Sequence, residues 1–253
     1  MFQRALIPEQ LREFLPYLSP NAFRVVPWSQ LIKKSIGLVA AGRTAFDLDA
    51  STGISLCEKF PEGSVPLHSP FLTTEVRKNI GRSLLELYFR NVRASSTVSI
   101  DFRSAAFRWD STGARLYWNP IRMALKWDTE FPKHAYALYE AYYSGNHSEL
   151  RGTLVALGFI GPEESEGSLA HLIRLLDEHF GPGDQREVVF SSRKLAQTLH
   201  ALFQELERRG SRLQPDFAFL GIMLATMTGT LEMLGCGLDA RAAFSETRFP
   251  RTI

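Results

Sequence analysis

Residues 98–118, VSIDFRSAAFRWDSTGARLYW, decide how the chain is read. Val98 and Ile100 give a short β segment that runs into Asp101 and Phe102. Residues 106–109 and 115–118 are then two apolar-rich runs separated by Asp110-Ser111-Thr112-Gly113, a composition suited to a tight hairpin turn. On both sides the pattern is helical. Upstream, Thr73 or Thr74 is an N-cap candidate, and Val76, Ile80, Leu84, Leu87 and Tyr88 keep helical spacing to about Arg93. Downstream, helices are predicted over 132–144, from Ser148 to Gly158, from Ser168 to Gly181, and from Ser191 or Ser192 to just before Gly210. The last, over 215–234, is apolar nearly all round, as expected of a central buried helix. A membrane span is disfavoured there by Glu232, three threonines and two glycines.

Ahead of the decisive stretch the signals are mixed. Residues 8–17 suit a short helix, 23–26 a strand stopped by Pro27, and Ser29 a helix cap with Leu31, Ile32, Ile36 and Val39 on the apolar face. Residues 44–48 and 54–60 read as strands, and 61–70, with three prolines and a glycine, as a loop. The chain therefore divides into a short N-terminal α/β segment, 1–60, and a helical unit, 61–253. Its fold class is α+β, predominantly α.

Composition narrows the function. An apolar share of 45% over 253 residues supports a sizeable core. The 29 basic and 27 acidic residues leave a net charge of only +2, so no nucleic-acid partner is expected. Two cysteines, Cys57 and Cys236, are too few for a disulfide framework or a zinc site and suit a reducing compartment. The first residues lack the apolar stretch of a secretory signal, and a cytoplasmic protein is expected. Nucleophile-elbow, phosphate-loop, dinucleotide-binding and zinc-protease motifs are all absent. His171 and His179 lie two turns apart on one predicted helix, without the further ligands a metal needs. Tyr136, Tyr139, Tyr142 and Tyr143 read as a packed helix face, and Arg208, Arg209 and Arg212 as solvated complements to a helix C-terminus.

One ordered set of segments carries more. Glu58 lies in Cys57-Glu58-Lys59-Phe60-Pro61-Glu62-Gly63; a long helix follows with LLELYFRNV at 84–92, then Asp101, then the hairpin. This resembles the hinge, first large helix, catalytic loop and hairpin of a protein-kinase-like C-lobe. More narrowly it is similar to the AarF/UbiB family of atypical kinase-like proteins, whose hinge is of the type M-E-Y-V-E-G and whose loop reads H-A-D-P-H-P-G-N. Further likenesses are Ala141 to Asn146, Leu157-Gly158-Phe159 and Pro215-Asp216-Phe217, so the resemblance spans about 56–240. It implies a kinase-like C-lobe, a helical array plus a β-hairpin, with Glu58 and Phe60 at the hinge and Asp101 as the residual catalytic candidate.

The departures from the family pattern shape the functional expectation. Ala106 stands where the family's metal-binding Asn would be, and a methyl group cannot coordinate Mg²⁺. Ser99 and Arg103 replace both loop histidines. After the hairpin, Trp118-Asn119-Pro120-Ile121 offers no carboxylate for the metal, and Asp128 comes several residues late. Lys33-Lys34-Ser35-Ile36-Gly37 has only a partial likeness to the family's K-x-G-Q segment. Phosphoryl transfer depends on bound metal ions, so a non-catalytic pseudokinase scaffold or regulatory subunit is expected, with no cofactor and no nucleotide. It would act on a protein partner or in a multi-subunit assembly. The resemblance also implies peripheral membrane or lipid contact in quinone or lipid metabolism. Two alternatives are a reduced phosphotransferase or ATPase using Asp101, and a lipid- or isoprenoid-binding accessory protein. Phe2, Leu6, Leu11, Phe14, Tyr17, Phe23 and Trp28 give the N-terminal stretch an apolar surface suited to an interface.

Overall fold

In the computed structural model, residues 21–27, 29–30, 34, 53–95, 97–121, 124–161, 163, 166–181, 187–211 and 213–248 are described. Strands β1 (Ile54–Leu56), β2 (Val65–Pro66), β4 (Phe107–Asp110) and β5 (Arg115–Trp118) form a mixed sheet in the order β1-β5-β4-β2. β4 and β5 are the predicted hairpin, with Phe107 opposite Trp118 and Asp110 opposite Arg115. The alternation of the two strands turns Phe107, Leu116 and Trp118 inward, and the Phe107 and Trp118 rings stack at 5.7 Å. At the turn Asp110 accepts the Thr112 N–H, and Ala114, with φ of 45°, takes the left-handed position. β1 joins β5 in parallel, whereas β3 (Thr97–Ser99) and β6 (Ala124–Lys126) make a separate antiparallel pair. β6 is too short for any sequence period to announce it.

The rest is helical: α1 (Ala22–Val25), α2 (Thr74–Arg93), α3 (Phe131–Ser144), α4 (His147–Ala156), α5 (Glu166–Phe180), α6 (Ser192–Arg208), α7 (Pro215–Leu234) and α8 (Ala240–Glu246). The molecule is α+β and mostly helical, with the small mixed sheet and the second strand pair beside the helices. Thr73 caps α2 through the Val76 N–H, Ser191 caps α6, and Gly145, at φ of 69°, ends α3 in the left-handed conformation. α6 buries the stripe Leu195, Leu199, Leu202, Phe203 and Leu206. α7 packs against both α2 and α6. It is long and apolar enough to cross a membrane, but more than half of its apolar window is buried inside the protein.

Close approaches fix how these helices meet. A side chain at Gly81 of α2 would come within 2.6 Å of Leu238, which pairs with Val188 across an isolated bridge. Arg77 donates to the carbonyls of Leu72, Ser69 and Leu234, joining the turn before α2 to the end of α7. The tyrosine face of α3 is core: Tyr139, Tyr142 and Tyr143 are buried, and Phe89 meets the rings of Tyr139, Tyr143 and Phe244.

Several sequence-based expectations are corrected: the strand expected over 54–60 ends at Leu56, residues 65–66 of the expected loop form β2, and α5 begins at Glu166, ahead of Ser168. Residues 23–26 do not form a strand. Asn21 accepts from Arg24 and Val25, and the resulting turn of helix buries Ala22 and Val25. Four residues with three apolar side chains around Arg24 fit either state, and packing against α6 decides it. α4 is capped by Asn146, which accepts the Glu149 N–H, and Ser148 lies inside the helix. Residues 8–17 and 44–48 lie outside the described residues.

Candidate functional site

The loop after β3 is built around Asp101. Its N–H donates to Ser99 Oγ at 3.2 Å and its carbonyl accepts Trp118 Nε1 at 3.1 Å. Ala106 N–H donates to Arg103 O, and Asn119 N–H reaches Ala106 O at 2.7 Å, fastening the loop to the end of β5. From the other side α7 contributes two hydroxyls. Thr226 Oγ1 lies 3.5 Å from Ile100 O, and Thr230 Oγ1 lies 2.6 Å from Phe102 O. The Thr226 hydroxyl lies closer to Met223 O and Ile222 O of its own helix, at 2.9 and 3.0 Å, so the buried loop carbonyl that gains a donor from α7 is Phe102 O.

The Asp101 side chain is 1% exposed. Oδ1 accepts Arg103 Nε at 2.7 Å and the Arg103 N–H at 3.2 Å, while Oδ2 accepts Arg103 Nη2 at 3.1 Å and the Ile121 N–H at 2.9 Å. Both oxygens face a guanidinium fork, the geometry in which a carboxylate and an arginine bind most tightly. A carboxylate so engaged has neither a free oxygen to take a proton from a substrate hydroxyl nor an open edge for a metal. Ala106 is buried close by.

The segment 57–60 meets the same place. The Cys57 N–H donates to Trp118 O at 2.9 Å, and Asn119 Nδ2 donates to Glu58 O at 3.1 Å. Burial pushes the Cys57 thiol up, keeping it neutral at ordinary pH. Phe60 is half-buried beneath Arg108, whose guanidinium stands 5.4 Å from the ring and also donates to Ser64 O. Glu58, Phe60 and Asp101 thus come from segments that converge on Trp118 and Asn119. The backbone groups at 57 and 58 are engaged by the end of β5.

Of the proposed interface residues, Phe2, Leu6, Leu11, Phe14, Tyr17 and Trp28 lie outside the described residues, and Phe23 is described only as part of the α1 backbone. α1 packs on α6, with Arg24 paired to Glu207. Sequence reasoning missed a charge cluster that joins distant segments. Lys34 Nζ bonds Asp216 Oδ1 and, at 3.1 Å, Asp128 Oδ1, while Asp216 Oδ2 accepts the Asp128 N–H at 2.7 Å. No local signal pairs residues so far apart; the one hint is an Asp at the start of the most apolar helix.

No group of three or more His, Cys, Asp or Glu side chains able to hold a metal occurs among the described residues. His171 instead contacts Arg174. Arg208 and Arg209 both bind Glu205, whose carboxyl they hold down at about 2. No protein-family model matches this sequence, and no curated protein matches it.

Proposed function

We propose that this protein is a non-catalytic, kinase-like scaffold or regulatory subunit that works through protein–protein contacts in a larger assembly. The reading takes the fold as a kinase-like C-lobe related to the AarF/UbiB proteins. Its support is an order of elements: the long α2, the β3 loop with Asp101, the β4–β5 hairpin, β6 returning to pair with β3, and the buried α7 behind the loop. Fold analogy alone does not assign activity, and the state of Asp101 carries the functional half. Asp101, the carboxylate that the resemblance puts forward as the catalytic candidate, is held by Arg103 on both oxygens. Ala106 adds no metal ligand. A loop so arranged supports a fold and does not transfer phosphate, since that chemistry rests on metal ions and positioned charge.

Thermal melting with ATP or ADP, with and without Mg²⁺, tests this. A nucleotide bound at a hundredfold over its Kd would add about 2.7 kcal/mol and raise the melting temperature by several degrees. No shift is expected. A Mg²⁺-dependent rise would overturn the scaffold reading in favour of a reduced phosphotransferase or ATPase.

A further inference from the structure

We infer that the segment containing α1 and Lys34 is a latch, held on the helical array by an apolar anchor at one end and by the charge of Lys34 at the other. The apolar anchor is α1 and the residue after it: Ala22, Val25 and Val26 are buried, and Val25 O accepts the Leu213 N–H from the loop between α6 and α7. Arg24 adds an ion pair to Glu207, but its side chain is 78% exposed and such a pair holds little. The charged anchor is of another kind. Asp216 is 1% exposed at the first turn of α7, and Lys34 is the cation bonded to it among the described residues. A carboxylate that far from water needs a counter-charge, whereas Lys34, 20% exposed, can regain water by a small movement.

The two partners therefore have unequal stakes. Closing the latch satisfies Asp216; opening it admits water to Asp216 and frees Lys34. Removing the ammonium charge, by substitution or by acetylation of Nζ, takes away the gain from closing and leaves only the short apolar anchor.

Hydrogen exchange on the full chain, read by mass spectrometry, tests the latch without partner or nucleotide. Lys34→Gln is expected to speed exchange in peptides covering 21–27 by about tenfold or more while α2 stays as in wild type. Lys34→Arg, which keeps the charge, is expected to preserve protection. Equal protection in the Gln and Arg variants would overturn the proposal. So would a rise in which 21–27 and α2 move together, because Lys34 would then serve global stability. Should Lys34→Gln not fold, the double variant Lys34→Gln/Asp216→Asn removes both charges. It is expected to fold with 21–27 loosened, and wild-type protection there would reject the latch.

Discussion

Thr230 gives its hydroxyl proton to the carbonyl of Phe102, 2.6 Å away and 128 residues earlier in the chain. Through this bond α7 fixes the shape of the Asp101 loop from behind. Thr230 is 2% exposed, so Phe102 O has no access to water if the hydroxyl is removed. Thr230→Val keeps the shape of the side chain and leaves that carbonyl unsatisfied. A loss of about 1–3 kcal/mol in urea unfolding is expected. A loss near zero would mean that the loop holds its shape without α7.

Asp101 and Arg103 answer a sharper question, whether the carboxylate serves the fold. Asp101→Asn keeps the volume but turns one acceptor into a donor against Arg103 and removes the carboxylate charge that the guanidinium, 20% exposed, faces. We expect a destabilisation of about 2–4 kcal/mol. Asp101→Asn combined with Arg103→Gln is expected to recover a large part of it, since the second change removes the guanidinium that faces the new amide donor. Additive losses in the double-mutant cycle would show that the two residues do not act as one unit.

Much of the architecture can be read in the chain because its signals are local. The Thr73 and Ser191 caps, the left-handed Gly145 and the Asp110-to-Gly113 turn each satisfy backbone groups within a few residues, and α2, α3, α6 and the hairpin follow from them. What the chain hides depends on partners far away. α1 is helical because Ala22 and Val25 pack on α6; β6 exists because β3 offers it a ladder; α8 is called up by the Phe89 and Tyr143 rings that enclose Phe244. At the site, sequence supplies Asp101 as a candidate and Ala106 as a missing ligand. The engagement of Asp101 by Ile121 N–H and the Lys34–Asp216 pair appear only when separate segments are brought together.

The tyrosines of α3 allow a paired test of buried hydroxyls. Tyr139 OH and Tyr88 OH share a hydrogen bond of 2.6 Å inside the core, whereas Tyr143 OH is buried with no hydrogen-bond partner among the described residues. Burial pushes all three phenols up, so they stay protonated throughout the ordinary pH range. Tyr139→Phe strands the Tyr88 hydroxyl and should cost about 1–2 kcal/mol. Tyr143→Phe removes an unsatisfied group and should be neutral or stabilising by up to about 1 kcal/mol. If thermal melting ranks the two variants the other way, the Tyr143 hydroxyl has a partner, such as a buried water.

Glu205 ties the end of α6 through Arg208 and Arg209, and its response to acid can be worked out. Hydrogen bonds from Arg208, then from Arg209, lower its pKa from 4.5 to about 2, against an opposing push from partial burial. A folded-state value below the unfolded one means that the unfolded chain binds its proton first as pH falls. The stabilisation is therefore whole above about pH 4.5, declines as pH drops from there, and is gone below about 2. Glu205→Gln lacks the charge at every pH. The difference in urea stability between wild type and Glu205→Gln should thus be largest near neutrality and should shrink steadily between those two values. The Arg209 side chain is only 4% exposed, so the Gln variant also leaves a nearly buried cation short of its counter-charge, and the gap at neutral pH should be well beyond that of an exposed pair. A pH-independent gap would mean that Glu205 contributes through packing and that its carboxylate charge is immaterial.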